Sequence, residues 1–220
     1  MKKIFTTALM VMLGAGAYAQ TAPQISQGNM VVSGSANLGN YSTDYDNSPT
    51  NSKDITRSFR FNPSMGYFLQ DGLEMGVSLG LYQGLTIYKR DSVESRSRSQ
   101  NISFSPYVRQ YIALTEQLQL HGTVYISASI GNSKYQQYEK SSYKETNTSK
   151  SYGIGFYPGL TYFASPKLGF TATFGDFSYS RSKSTPKNNP HQTSPHTSNS
   201  FTANLSPSSI NIGIGYFIAR

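Results

Sequence analysis

From Leu73 to Ile87 nearly every second residue is apolar: Leu73, Met75, Val77, Leu79 and Leu81, then, past Gln83, Leu85 and Ile87. Between them stand Glu74, Gly76, Ser78, Gly80, Tyr82, Gly84 and Thr86. A period of two puts the first set on one face of a β-strand and the second on the other. The stretch runs for roughly 15 residues, whereas an ordinary soluble strand has ~5–6. An apolar face of that length needs a continuous cover, either a protein core or hydrocarbon.

The same alternation recurs seven times. The segments are Asn29–Tyr41, Arg57–Leu69, Leu73–Lys89, Asn101–Ala113, Gln117–Gly131, Lys150–Phe163, Lys167–Ser180 and a last one carrying Ile210, Ile212, Ile214, Tyr216 and Ile218. In the last segment Phe201, Ala203 and Leu205 have the opposite parity, which predicts a bulge near Ser208-Ser209 or a late strand start. Long polar connections follow segments one, three, five and seven, spanning 41–56, 90–100, 132–149 and 181–200. The other three are expected to be three-residue turns, Gln70-Asp71-Gly72, Leu114-Thr115-Glu116 and Ala164-Ser165-Pro166. Each such turn keeps the apolar rows on one face. A weak repeat precedes them: Pro63…Tyr67-Phe68, Pro106…Gln110-Tyr111 and Pro158…Tyr162-Phe163, with Gly215-Tyr216-Phe217 at the end. Its aromatics would form an interfacial girdle at one end of the strands.

Charged residues are 14% of the chain, against about 25% for a soluble domain. Inside the alternating segments they are chiefly Arg60, Glu74, Arg109 and Asp176. If the apolar rows faced a soluble core, the outer face would be Gly, Ser, Thr and Tyr with almost no Lys or Glu, a poor solvent surface. That weighs against the rival reading, a soluble ligand-binding barrel. With the apolar rows in lipid, the small polar residues fill a narrow lumen. The expected fold is all-β, an eight-stranded antiparallel up-and-down transmembrane β-barrel. Bulky Tyr82, Tyr107, Tyr125, Tyr157 and Phe177 are expected to point inward and block a channel.

The N-terminus gives an address. Lys2 and Lys3 precede an apolar run that ends in Ala17-Tyr18-Ala19, the parts of a secretory signal peptide. Residues 1–19 are therefore read as the signal, cleaved after Ala19, and 20–220 as one barrel domain of a gram-negative-type envelope. The chain has no cysteine, so no disulfide or thiolate metal site is expected.

Eight alternating segments, short turns at one end, long connections at the other and a final INIGIGYFIAR make the chain resemble the small OmpA/OmpX-type outer-membrane barrels. Gly66-Tyr67-Phe68 followed by Asp71-Gly72-Leu73 resembles the outer membrane beta-barrel domain proteins. One departure is the C-terminus: family members often end on an aromatic residue, whereas Ile218-Ala219-Arg220 follow Phe217 here. The resemblance implies an integral outer-membrane protein that engages the barrel-insertion machinery.

Function is read as non-enzymatic, with four long extracellular loops serving envelope integrity, adhesion or surface binding. A small porin-like channel is the second reading and a barrel-embedded lipid-modifying enzyme the third. His196-Thr197-Ser198-Asn199 is similar to the His-x-Ser-Asn motif of barrel lipid A deacylases, but no Asp or Glu follows Asp176 to orient the His. His191 and His196 are read as loop polar residues. No catalytic, cofactor or metal residue is assigned, and no cofactor is expected. Net charge is +8, about +6 without Lys2 and Lys3, and Lys134, Lys140, Lys144 and Lys150 cluster at the third long connection. Outer-membrane lipid is one expected partner and lipopolysaccharide phosphate another. Export disfavours nucleic acid. Inside the lumen, Glu74 and Arg109 are expected to meet, with Arg109 directly across from a neutral His121.

Overall fold

The computed structural model describes residues 23–45, 52–90, 93–136, 144–187, 194–205 and 210–219. The expected signal, 1–19, lies outside the described residues, as do Lys140 and His191. Ten strand segments build eight staves. They are β1 (Met30–Tyr45), β2 (Ser52–Gln70), β3 (Leu73–Arg90), β4 (Val93–Ala113), β5 (Leu118–Gln136), β6 (Lys144–Ser165), β7 (Leu168–Thr173), β8 (Asp176–Pro186), β9 (His196–Asn204) and β10 (Asn211–Ile218). The seventh stave is β7 plus β8 and the eighth is β9 plus β10. Every neighbour pairs antiparallel, and the ring closes where β1 meets β10, Met30 opposite Ile218. Closure leaves no bare sheet edge along that base, which a membrane-spanning sheet requires.

The apolar rows face outward, as period two demands. Met65, Val77, Phe104, Ile126, Ile154 and Ile214 are all exposed on the outer wall. Ser64, Ser78, Ser103, Ser105 and Thr171 line the interior.

The strands run farther than the alternating apolar residues suggest. Most of the four segments expected as long loops is strand, because the alternation continues in polar letters. Ser95, Ser97 and Ser99 carry on the inward row of β4 while Arg96 and Arg98 carry on the outward one. Thr56 reaches Thr86 across β2 and β3 at 3.3 Å. Of these four segments only the tips, 46–51, 91–92, 137–143 and 188–193, lie outside the described residues.

Two of the three expected registers shift by two. The β2–β3 ladder pairs as expected, although the turn tightens to Asp71-Gly72 with Gly72 at φ +73° and a bulge between Phe68 and Gln70. In β4–β5, Ala113 pairs with Gln119 rather than Gln117. Thr115 enlarges this turn: its Oγ1 accepts from the Leu118 amide at 3.0 Å and its carbonyl accepts from Gln119 Nε2 at 3.0 Å. In β6–β7, Phe163 pairs with Gly169 rather than Lys167. An even shift leaves every side chain on its expected face.

The seventh stave holds a break that the apolar pattern does not announce. Gly175 sits at φ +78°, a conformation cheap for glycine alone. The bulge reverses parity, so Asp176 turns into the lumen. Phe177 therefore packs on outward Phe156 at 6.5 Å between ring centroids, and its expected inward position is wrong. In the eighth stave both halves keep their apolar residues outward despite opposite parity: Phe201 pairs with Tyr179, and Ile214 with Phe170. The expected bulge at Ser208-Ser209 lies outside the described residues.

Candidate functional site: a two-layer floor in the lumen

The repeat that precedes the short turns does two jobs because adjacent strand residues face opposite ways. Three of its tyrosines point out: Tyr67, Tyr162 and Tyr216 are 39%, 47% and 49% exposed. Its phenylalanines point in: Phe68, Phe163 and Phe217 are 0–3% exposed. Phe163 meets Phe217 edge-on at 4.8 Å, and Phe68 lies 5.7 Å from Tyr111. Ile25, from a short 3-10 turn at Pro23–Ile25, and Val31 complete this apolar layer. The Ile25 carbonyl accepts from the Gly72 amide at 2.8 Å, so the N-terminal segment is tied across the base.

A charged layer stands on the apolar one. Glu74 pairs across the ladder with Arg109. Arg109 Nη1 lies 3.5 Å from Glu74 Oε2. Tyr107 donates to Glu74 Oε1 at 2.5 Å and Tyr111 to Oε2 at 2.8 Å. Arg109 also donates through Nε to Thr123 Oγ1 at 2.9 Å and through Nη2 to Tyr157 at 3.4 Å. Its guanidinium carbon sits 5.2 Å from the centre of the Tyr107 ring. Glu74 is wholly buried and Arg109 8% exposed. The ion pair is thus wrapped in hydroxyls, which is what a buried charge needs.

His121 is brought near but not where the expected register put it. The two-residue shift places Thr123 opposite Arg109 and His121 opposite Tyr111. Its ring is buried 5.5 Å from that of Tyr111, and neither ring nitrogen has a hydrogen-bond partner among the described residues.

Pattern reading missed four participants, Tyr111, Tyr107, Thr123 and Tyr157. Tyr111 occupies the position that Phe68 and Phe163 hold in the other repeats, and its extra hydroxyl bridges Glu74 and Arg109. Tyr107 and Thr123 carry no mark beyond inward parity. Glycines seat the large inward groups. A Cβ on Gly155 would meet Tyr125 Oη and Cζ at 2.5 and 2.6 Å, all side-chain atoms. Tyr125 is held there by a 3.0 Å bond to Asp176 and by Tyr157 at 5.8 Å. Gly155→Val should cost about 1–3 kcal/mol by overpacking. Adding Tyr125→Ala should recover part of that loss in a urea titration, whereas no recovery would mean the two do not share space.

Above the charged layer the lumen widens into an open-topped polar cavity of about 800 Å³. Arg60, Asn62, Asn101, Tyr125, Tyr157 and Asp176 line it, and Arg109 and Tyr107 form its floor. His196 and Ser198 stand on β9, on a strand rather than the expected loop. Ser198 Oγ lies 2.7 Å from Ser182 Oγ, and Asn199 Oδ1 accepts from Tyr179 at 3.3 Å.

A closed ring of eight antiparallel staves, apolar outside and polar inside, with aromatics at the base, defines an integral membrane β-barrel. The sequence profile of the outer membrane protein beta-barrel domain matches residues 5–217, and the chain belongs to that family. It is thus an outer-membrane barrel protein. Among solved structures it is similar to the outer membrane protein OprG from Pseudomonas aeruginosa, at 10% identity and a TM-score of 0.52. That match covers 89% of this chain and 98% of OprG. Neisserial surface protein A is 15% identical over 88% of this chain and 98% of its own, with a TM-score of 0.37. Ail of Yersinia pestis is 14% identical over 87% and 99%, with a TM-score of 0.39. At these identities the OprG likeness speaks to fold alone. No curated protein matches the chain.

Proposed function

We propose that the protein is a non-enzymatic barrel anchor that presents tall β-hairpins at the cell surface and conducts no solute. The observation that carries this reading is the two-layer floor. Phe68, Phe163 and Phe217 close the base, and Glu74, Arg109, Tyr107 and Tyr111 close the level above. Opening either layer means breaking a packed or hydrogen-bonded set, so the polar cavity is a blind vestibule. The surface part is built from paired strands, because β1 to β6, β8 and β9 continue past the apolar rows. Its ion pairs, Lys53–Asp44 at 3.1 Å and Arg96–Glu94 at 2.7 Å, are exposed and contribute ~0–1 kcal/mol each. Its rigidity comes from the ladder. Envelope integrity, adhesion or surface binding through these hairpins follows as the role.

Purified barrel reconstituted in planar bilayers should show no discrete conductance steps in molar KCl. Phe68→Ala combined with Phe217→Ala thins the lower layer and is the control for leakage. Regular steps from the unaltered protein would replace this reading with that of a channel.

A further inference from the structure

The outer wall carries a cluster of cations within two successive outward pairs. Lys150 on β6 pairs directly across the ladder with Lys183 on β8, and the next outward pair is Tyr152 with Arg181. All three cations are exposed on the lipid-side row. No acidic side chain among the described residues forms an ion pair with any of them. Like charges directly opposite on one face destabilise a sheet, so this arrangement calls for an anion between them.

The height of the cluster selects the anion. On β6 the outward row runs from Tyr162 through Leu160, Pro158, Phe156 and Ile154 to Tyr152. Ten residues at ~3.3 Å each on a strand tilted ~40° span roughly 25 Å, the height of the apolar band of such barrels. Tyr162 and Tyr152 are therefore the two aromatic rims, and Tyr179, across from Ile154, adds to the upper one. Arg181 lies level with that rim, across from Tyr152, and Lys150 and Lys183 lie in the first step above it, where lipid headgroups begin. A soluble anion would be washed from a site this exposed, whereas a lipid anchored by its chains on Tyr152, Ile154 and Phe177 holds its phosphate at the right level.

We propose that Lys150, Arg181 and Lys183 form a binding site for the phosphate of an outer-leaflet lipid headgroup, with its acyl chains on the wall between β6 and β8. The site relies on the barrel's orientation in the membrane and not on whether the lumen conducts.

The chain has no tryptophan, so Tyr152→Trp places a single reporter under the cluster and keeps an interfacial aromatic there. Tyr216→Trp places one at the opposite rim. Each protein is folded into mixed vesicles containing brominated phosphatidylglycerol or brominated phosphatidylcholine at 0.1 M salt, and quenching gives the relative binding constant. In the Tyr152→Trp protein the anionic lipid should be preferred by on the order of fivefold or more. Lys150→Gln with Arg181→Gln and Lys183→Gln should bring that ratio near one, and the ratio in the Tyr216→Trp protein should be near one throughout. Heat-modifiable migration confirms that each variant is folded, and the milder single Lys183→Gln, with a partial loss, serves if the triple is not. Equal quenching by both lipids under the cluster, a preference that survives the triple change, or the same preference at both rims would overturn the site.

Discussion

Glu74→Ala should destabilise the folded barrel by about 3–5 kcal/mol, and the double variant Glu74→Ala/Arg109→Met should be less damaged than that single one. The reason is the geometry of the charged layer. Glu74 is wholly buried and Arg109 nearly so, so removing the carboxylate strands a guanidinium in a packed lumen. Thr123 and Tyr157 still accept from it, which softens the loss but leaves the charge uncompensated. A methionine in place of the arginine removes the charge and keeps an unbranched stem against the Tyr107 ring. The hydroxyls of Tyr107 and Tyr111 lose their acceptor in both variants, so the difference between the two reports the stranded charge. Urea titration in detergent micelles measures each corner of the cycle. Additive losses would show that Glu74 and Arg109 do not share an interaction in the folded barrel.

That pair was within reach of the sequence because parity puts Glu74 and Arg109 on the same face and each lies near a short turn, 70–72 and 114–116, at the same end of the strands. Its exact surroundings were not. Thr115 rewrites the β4–β5 turn through its own hydroxyl and carbonyl, and a two-residue slip moves His121 from Arg109 to Tyr111 without changing any face. Parity is a robust inference and register a fragile one for the same reason: side chains repeat every two residues, so an even slip leaves the apolar pattern untouched. Odd breaks are different. Gly175 flips Asp176 inward and Phe177 outward, and one glycine among 19 gives no sign of φ +78°. The hairpin extensions were hidden for another reason. Ser-Arg-Ser-Arg-Ser alternates as strictly as Val-Ser-Leu-Gly-Leu, but with no apolar member it reads as a solvated loop. The pairing of those strands is decided by the ladder they continue from, which is non-local.

Val77→Arg should cost about 1–3 kcal/mol in lipid vesicles, while Ser78→Arg should cost less. The two residues are neighbours on β3, and strand geometry sends them to opposite sides. Val77 is exposed on the outer wall between Met75 and Leu79, one outward step above Met75, which pairs with Tyr67 of the lower rim, so a guanidinium there meets hydrocarbon in the lower part of the apolar band. Ser78 faces the vestibule, and its hydroxyl reaches the Pro63 carbonyl at 3.3 Å. A long side chain in an eight-stranded lumen would ordinarily be expelled by crowding, which would blur the comparison. Here the cavity of about 800 Å³ that Ser78 lines is open to water at its outer end. The introduced guanidinium can extend upward there, away from Arg109 in the floor. Its residual penalty is repulsion from Arg60, which lines the same space and is partly engaged over the Tyr82 ring at 5.4 Å. Dissolved ions that enter through the open end of the vestibule screen that repulsion, so raising salt should shrink the Ser78→Arg loss and leave the Val77→Arg loss unchanged. Equal losses for the two, or the reverse order, would mean that lipid touches the serine row and that the faces of β3 are inverted.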